Sequence, residues 1–104
     1  MTDYEISRNL ALAIGRHDDD VTSFDGHLIS VYVAHRGGFG SWREFDYRDP
    51  TVIWAIAERY RCFPEWQEGS NEWWSSVNVD ARAYADTAAK AVAMAVIGLG
   101  KLES

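Results

Sequence analysis

Apolar residues recur on one helical face at the start of the chain, at Ile6, Leu10, Ala13 and Ile14, and predict a helix over 3–14. Thr2 followed by Glu5 has the spacing of a reciprocal N-terminal cap, and Gly15 can take the left-handed position that closes a helix. The polar stretch 17–26 has no periodicity and is expected as a loop. HLISVYVAH (27–35) is β-branched and aromatic, with Ile29, Val31 and Val33 on one face and Leu28 and Tyr32 on the other, a strand apolar on both sides. RGGFG (36–40) reads as a turn, and SWREFDY (41–47) returns as an edge strand kept soluble by Arg43 and Glu44.

Asp49 and Pro50 then open a second helix, as cap and first helical residue. Its inner face is Ile53, Ile56, Ala57 and Tyr60, with Trp54 at the margin, and it must stop before Pro64. FPEWQ (63–67) and EWWSSVNV (72–79) flank the turn-forming EGSN and predict a hairpin. Alternation puts Trp73, Ser75, Val77 and Val79 on one face of its second strand and Trp74, Ser76 and Asn78 on the other. Trp73 is thereby assigned to the core and Trp74 to the edge of the cover. A last helix, alanine-rich, is expected over 84–99, opening near Asp86 or Thr87 and loosened by Gly98 and Gly100.

The order helix, strand, edge strand, helix, strand, strand, helix makes the fold class α+β: a three- or four-stranded antiparallel sheet with three helices. Tryptophan on both sides of the last strand favours helices on both faces of at least part of that sheet. One domain, residues 1–104, accounts for the whole pattern.

FDYRDPTVIWAIAERYRCFP (45–64) resembles the segment of small phage proteins in which an Asp/Asn-Pro turn enters a helix with an internal tryptophan. DTAAKAVAMAVIGLG (86–100) is similar to the threonine-led, alanine-rich closing helix of that family, and the hairpin falls where theirs would. The family is the phage α-β-α sandwich, to which NinX-like phage accessory proteins also look related. The resemblance covers residues 42–100. It implies a phage or prophage origin and helices on both sheet faces, and it brings no catalytic residues. The RGGFG turn and the acidic loop are not part of its pattern.

Composition narrows the classes of function. Of 104 residues, 47% are hydrophobic and 13% aromatic, enough for a full core without staples. A single cysteine, Cys62, excludes an intrachain disulfide and suits a reducing compartment. With a polar, acidic start unlike a signal peptide, it places the expectation in the cytoplasm of a host cell. The longest apolar run, 91–100, is half of what a membrane span needs, so no membrane association is expected. A net charge of −6 has the wrong sign for neutralising phosphates, so neither is nucleic acid.

Candidate chemistry is sparse. His17, Asp18, Asp20, Asp25 and His27 are metal-ligand types, but their spacing fits neither an EF-hand nor a zinc motif, and no metal or other cofactor is expected. Arg36, Gly37, Gly38 and Gly40 could offer backbone amides to a phosphate, yet the Lys and Ser/Thr of a phosphate loop are missing. No histidine is placed by sequence to activate Ser41 or Cys62. Aromatic surface remains: Phe39, Trp42, Trp66 and Trp74, with Arg43, are residue types that anchor protein interfaces. The leading expectation is a phage accessory protein, not an enzyme, that binds and modulates a host or phage protein or a second copy of itself. The alternatives are a nucleotide-like ligand held on the RGGFG turn, and a small metal-dependent hydrolase built on the acidic loop.

Overall fold

The computed structural model describes residues 1–103. Helix α1 spans Asp3–Ala13 and starts as its sequence predicts: Thr2 Oγ1 accepts the Glu5 amide, and Glu5 Oε1 accepts the Thr2 amide, each at 3.2 Å. Both bonds satisfy amides that have no partner within the helix. Ile6, Leu10 and Ala11 face inward.

A short 3-10 turn at Asp18–Asp20 leads into three antiparallel strands, β1 (Val21–Thr22), β2 (Ile29–Ala34) and β3 (Gly40–Phe45), with β2 in the middle. The stretch expected as plain loop therefore carries a two-residue strand. Val21 pairs with Val31 and is buried, but two residues are too few to show alternation.

Helix α2, Pro50–Tyr60, is capped by Asp49, whose carboxylate accepts the Thr51 amide at 3.0 Å. It buries Ile53, Ile56 and Ala57 and ends at Arg61, which is left-handed at φ 53° and ψ 46°. The second half of the chain forms β4 (Glu65–Gln67), β5 (Glu72–Asn78) and β6 (Ala81–Ala85), ordered β4-β5-β6, and then helix α3 (Ala88–Glu103).

The class is α+β, with three helices and antiparallel pairing throughout, as the pattern predicts. Its strands divide into two sheets of three, and residues 81–85, the last two of which fall in the expected final helix, form β6. ARAYA has helical propensity. Pairing with β5 across the Asn78–Ala81 turn overrides it, because Asn78 Oδ1 accepts the amides of both Asp80 and Ala81 at 2.9 Å.

Layering follows from the packing. Helix α3 lies on β5 and β6 with one side and on α1 and α2 with the other, while α1 also packs on β1 and β2. The helices are thus the middle layer and the two sheets flank them, in a molecule of 50 × 26 × 23 Å. Burial of α3 on two sides explains its composition: Ala91, Val92, Ala93, Ala95, Val96 and Ile97 are all buried. Ala81, Ala83, Ala85 and Ser75 share the inner face of the second sheet, and small groups on both partners let helix and sheet approach closely. Gly100 passes α1 so closely that an added Cβ would sit 3.3 Å from Ala13 Cβ. No described helix is long and apolar enough to cross a membrane.

Candidate functional site

Adjacent tryptophans in β5 must face opposite ways, and neither is fully buried. Trp73 points to the inner side, opposite Trp66 and Ala85, and meets Trp66 edge to face at 5.5 Å. The expectation that it is a core residue is corrected, since it is half-buried. Core burial on that face lies one step along, at Ser75, whose hydroxyl donates to the Cys62 carbonyl at 2.5 Å. Val79, expected on the same face, is 76% exposed, because a register shift between Ser76 and Asn78 breaks the alternation.

Trp74 points outward and stacks on Tyr84, its cross-strand partner, with centroids 6.5 Å apart and planes 26° from parallel. Tyr84 is 51% exposed. Glu65 is the partner of Trp74 on its other side. Phe63 is 56% exposed and stacks on Trp54 of α2 at 6.1 Å, planes 23° apart. The Trp74–Tyr84 pair therefore occupies the side of the second sheet opposite α3, with Glu65 and Glu72 beside it and Arg82 beyond Ser76. Tyr84 escapes a reading of sequence because the helix expected over 84–99 includes it, and the strand expected over 63–67 pairs only from Glu65.

The other expected surface residues lie elsewhere. Trp42 and Arg43 are on the edge strand β3, their side chains on opposite faces of the first sheet, and Trp66 is on β4. Trp42 meets Tyr32 and Phe24 edge to face, each at 5.5 Å, and Gly40 leaves room for the Tyr32 ring, which an added Cβ would strike. Phe39 projects from the β2–β3 turn, 84% exposed. The five residues Phe39, Trp42, Arg43, Trp66 and Trp74 are thus shared between two sheets rather than gathered in one patch.

The candidate ligand loop is the open end of a hairpin. His35 donates its amide to the Phe39 carbonyl at 2.7 Å, and Gly37 and Gly38, at φ 98° and 90°, turn the chain between them. Arg36 and Gly40 flank this turn, which lines neither of the two clefts described next. Asp25, from the acidic stretch, accepts the amides of His27 and Leu28, and these bonds hold its carboxyl below the usual range. Among the described residues, no group of three or more His, Cys, Asp or Glu is placed to hold a metal.

A polar cleft of about 240 Å³ lies where the starts of α1 and α3 meet the entry to α2, lined by Asp3, Tyr47, Arg48, Asp86, Thr87 and Lys90. A second, near 20 Å³, adjoins it at Ser7 and His27. The wall of the larger cleft is an internal network. Tyr47 donates to Asp3 at 2.6 Å, and Arg48 donates to Asp3 at 3.2 Å and to both oxygens of Asp46 at 3.0 Å. Burial first, then the Asp3 bond, raise the Tyr47 phenol well above its ordinary value, while the Arg48 hydrogen bond lowers Asp46. The polar groups of this cleft are engaged with one another. Cys62 is buried, and burial raises its thiol, which keeps it in the poorly nucleophilic protonated form.

Compared with known proteins, the chain matches no family model, no curated protein and no solved structure.

Proposed function

We propose that this chain is a non-catalytic binding protein that captures another protein through the outer face of the β4-β5-β6 sheet. The observation that carries the reading is the stacked pair Trp74–Tyr84, its tyrosine half exposed, on the side of that sheet turned away from α3. Trp and Tyr anchor interfaces because they bury large area while few rotamers are lost. Each here is held by its stacking partner before any encounter, which lowers the ordering cost further. The setting of a phage or prophage accessory protein acting on a host factor rests on the resemblance of residues 42–100 alone.

The two alternatives have less behind them. A nucleotide-like ligand at RGGFG would sit on an open hairpin end that lines neither described cleft, whereas small-molecule sites are concave. A hydrolase on the acidic stretch would have to free Asp25 from the turn that it caps.

The test is capture from bacterial lysate on immobilised protein, comparing the parent with Trp74→Ala and Tyr84→Ala, each checked for its fold by circular dichroism. A partner held by the parent and lost by both folded variants supports the reading. Equal capture by all three removes it.

A further inference from the structure

The charged groups of the same face indicate what chemistry would sit on it. Glu65 lies directly across from Trp74, and Glu72 is two residues away on the same strand and side. Gln67 faces Glu72, so no cation neutralises this end of the sheet from within it. Among the residues of the three strands, the basic side chain on this face is Arg82, which is opposite Ser76, on the strand away from Glu65, and its Nε donates to the Val79 carbonyl at 3.2 Å. Glu68 follows β4 in the turn, so acidity increases along this edge.

An aromatic ring attracts cations to its face through its quadrupole, and a neighbouring carboxylate adds to the attraction. Trp74 combines the two, with carboxylates beside it and Tyr84 stacked behind. We infer that the β4-β5-β6 face takes a basic peptide segment of its partner, with a lysine or arginine side chain laid against Trp74 between Glu65 and Glu72. This rests on the preceding reading of the face as a protein-binding surface and names the class of partner. A second copy of the chain fits less well, because a two-fold pairing would bring two Glu65–Glu72 pairs into one interface. A nucleic acid fails on charge.

The probe is a short capped peptide alternating serine with lysine and arginine. Its controls replace the basic residues with glutamine or with phenylalanine. Titration is followed through the tryptophan indole resonances, with Trp74 assigned by substitution. The basic peptide should shift the Trp74 indole, and Glu65→Gln with Glu72→Gln should weaken it roughly fivefold, the worth of two exposed ion pairs. Raising salt from about 50 to about 300 mM should weaken it further. Both substitutions are nearly isosteric and solvent-facing, so the fold should survive them.

If the phenylalanine peptide binds at Trp74 as well as the basic one does, and the double glutamine variant is unaffected, the cationic assignment falls while the protein-binding face stands. Shifts confined to the Trp42 or Trp54 indole, or Trp74 broadening with protein concentration alone, overturn it too. If no peptide shifts Trp74 and lysate capture is indifferent to Trp74→Ala, both readings fall together.

Discussion

The Tyr47 hydroxyl donates to Asp3 Oδ1 at 2.6 Å, tying the entry of α2 to the first turn of α1 across 44 positions of sequence. Tyr47→Phe removes this bond but leaves Asp3 its contact with Arg48, so the expected cost is about 1 to 2 kcal/mol. Because the folded state holds the phenol proton more tightly than the unfolded chain does, this stabilisation is complete below pH about 10 and declines as pH rises beyond it. Urea unfolding between neutral and alkaline pH should show a decline that is shallower in the variant.

Asp46 should act at the other end of the pH scale. Its folded pKa is lowered by the Arg48 hydrogen bond, so its contribution is present above the unfolded carboxyl value, near 4, and is lost as pH falls through the folded one. Arg48 is half exposed, which limits the effect to about 0.5 to 1 kcal/mol. Asp46→Asn should lower stability at pH 7 and flatten the acid limb of the stability curve. A limb of unchanged slope would show that the pair contributes nothing.

Ser75→Ala should be costlier than its size suggests. The hydroxyl is the donor to the Cys62 carbonyl in a buried setting, and an unpaired buried acceptor costs about 1 to 3 kcal/mol. A lower denaturation midpoint with faster thiol labelling of Cys62 is the expected result, and an unchanged midpoint would contradict it.

Trp73→Ala and Trp74→Ala should separate by phenotype rather than by stability alone. Trp73 is half-buried against Trp66, so its loss should cost about 2 kcal/mol, less than a fully packed aromatic. Trp74→Ala should cost no more than that in folding while abolishing partner capture. Equal capture by both variants would break the distinction.

Helix starts were legible because their signals are local: Thr2 with Glu5, and Asp49 with Pro50, each sit within four residues of the groups they satisfy. What sequence could not show was how strand pairs would assemble. Ala81–Ala85 has no β-branched residue, and its strand state depends on β5 and on α3 lying against its small side chains. That misreading carried Tyr84 with it. Trp74 was found as a surface residue from alternation, but its stacked partner was not, since a cross-strand neighbour is defined only once register is known.

Helix α3 is enclosed by β5 and β6 on one side and by α1 and α2 on the other, although some 75 residues separate it from α1. A chain emerging from the ribosome would leave Ile6 and Leu10 uncovered until Val92, Val96 and Ile97 had cleared the exit tunnel, because those side chains belong to one connected core. Folding during synthesis is therefore expected to come late and in one step, with loop closure over most of the chain setting its rate. Until then α1 would be a short isolated helix, marginal in water and open to chaperones that recognise exposed aliphatic side chains.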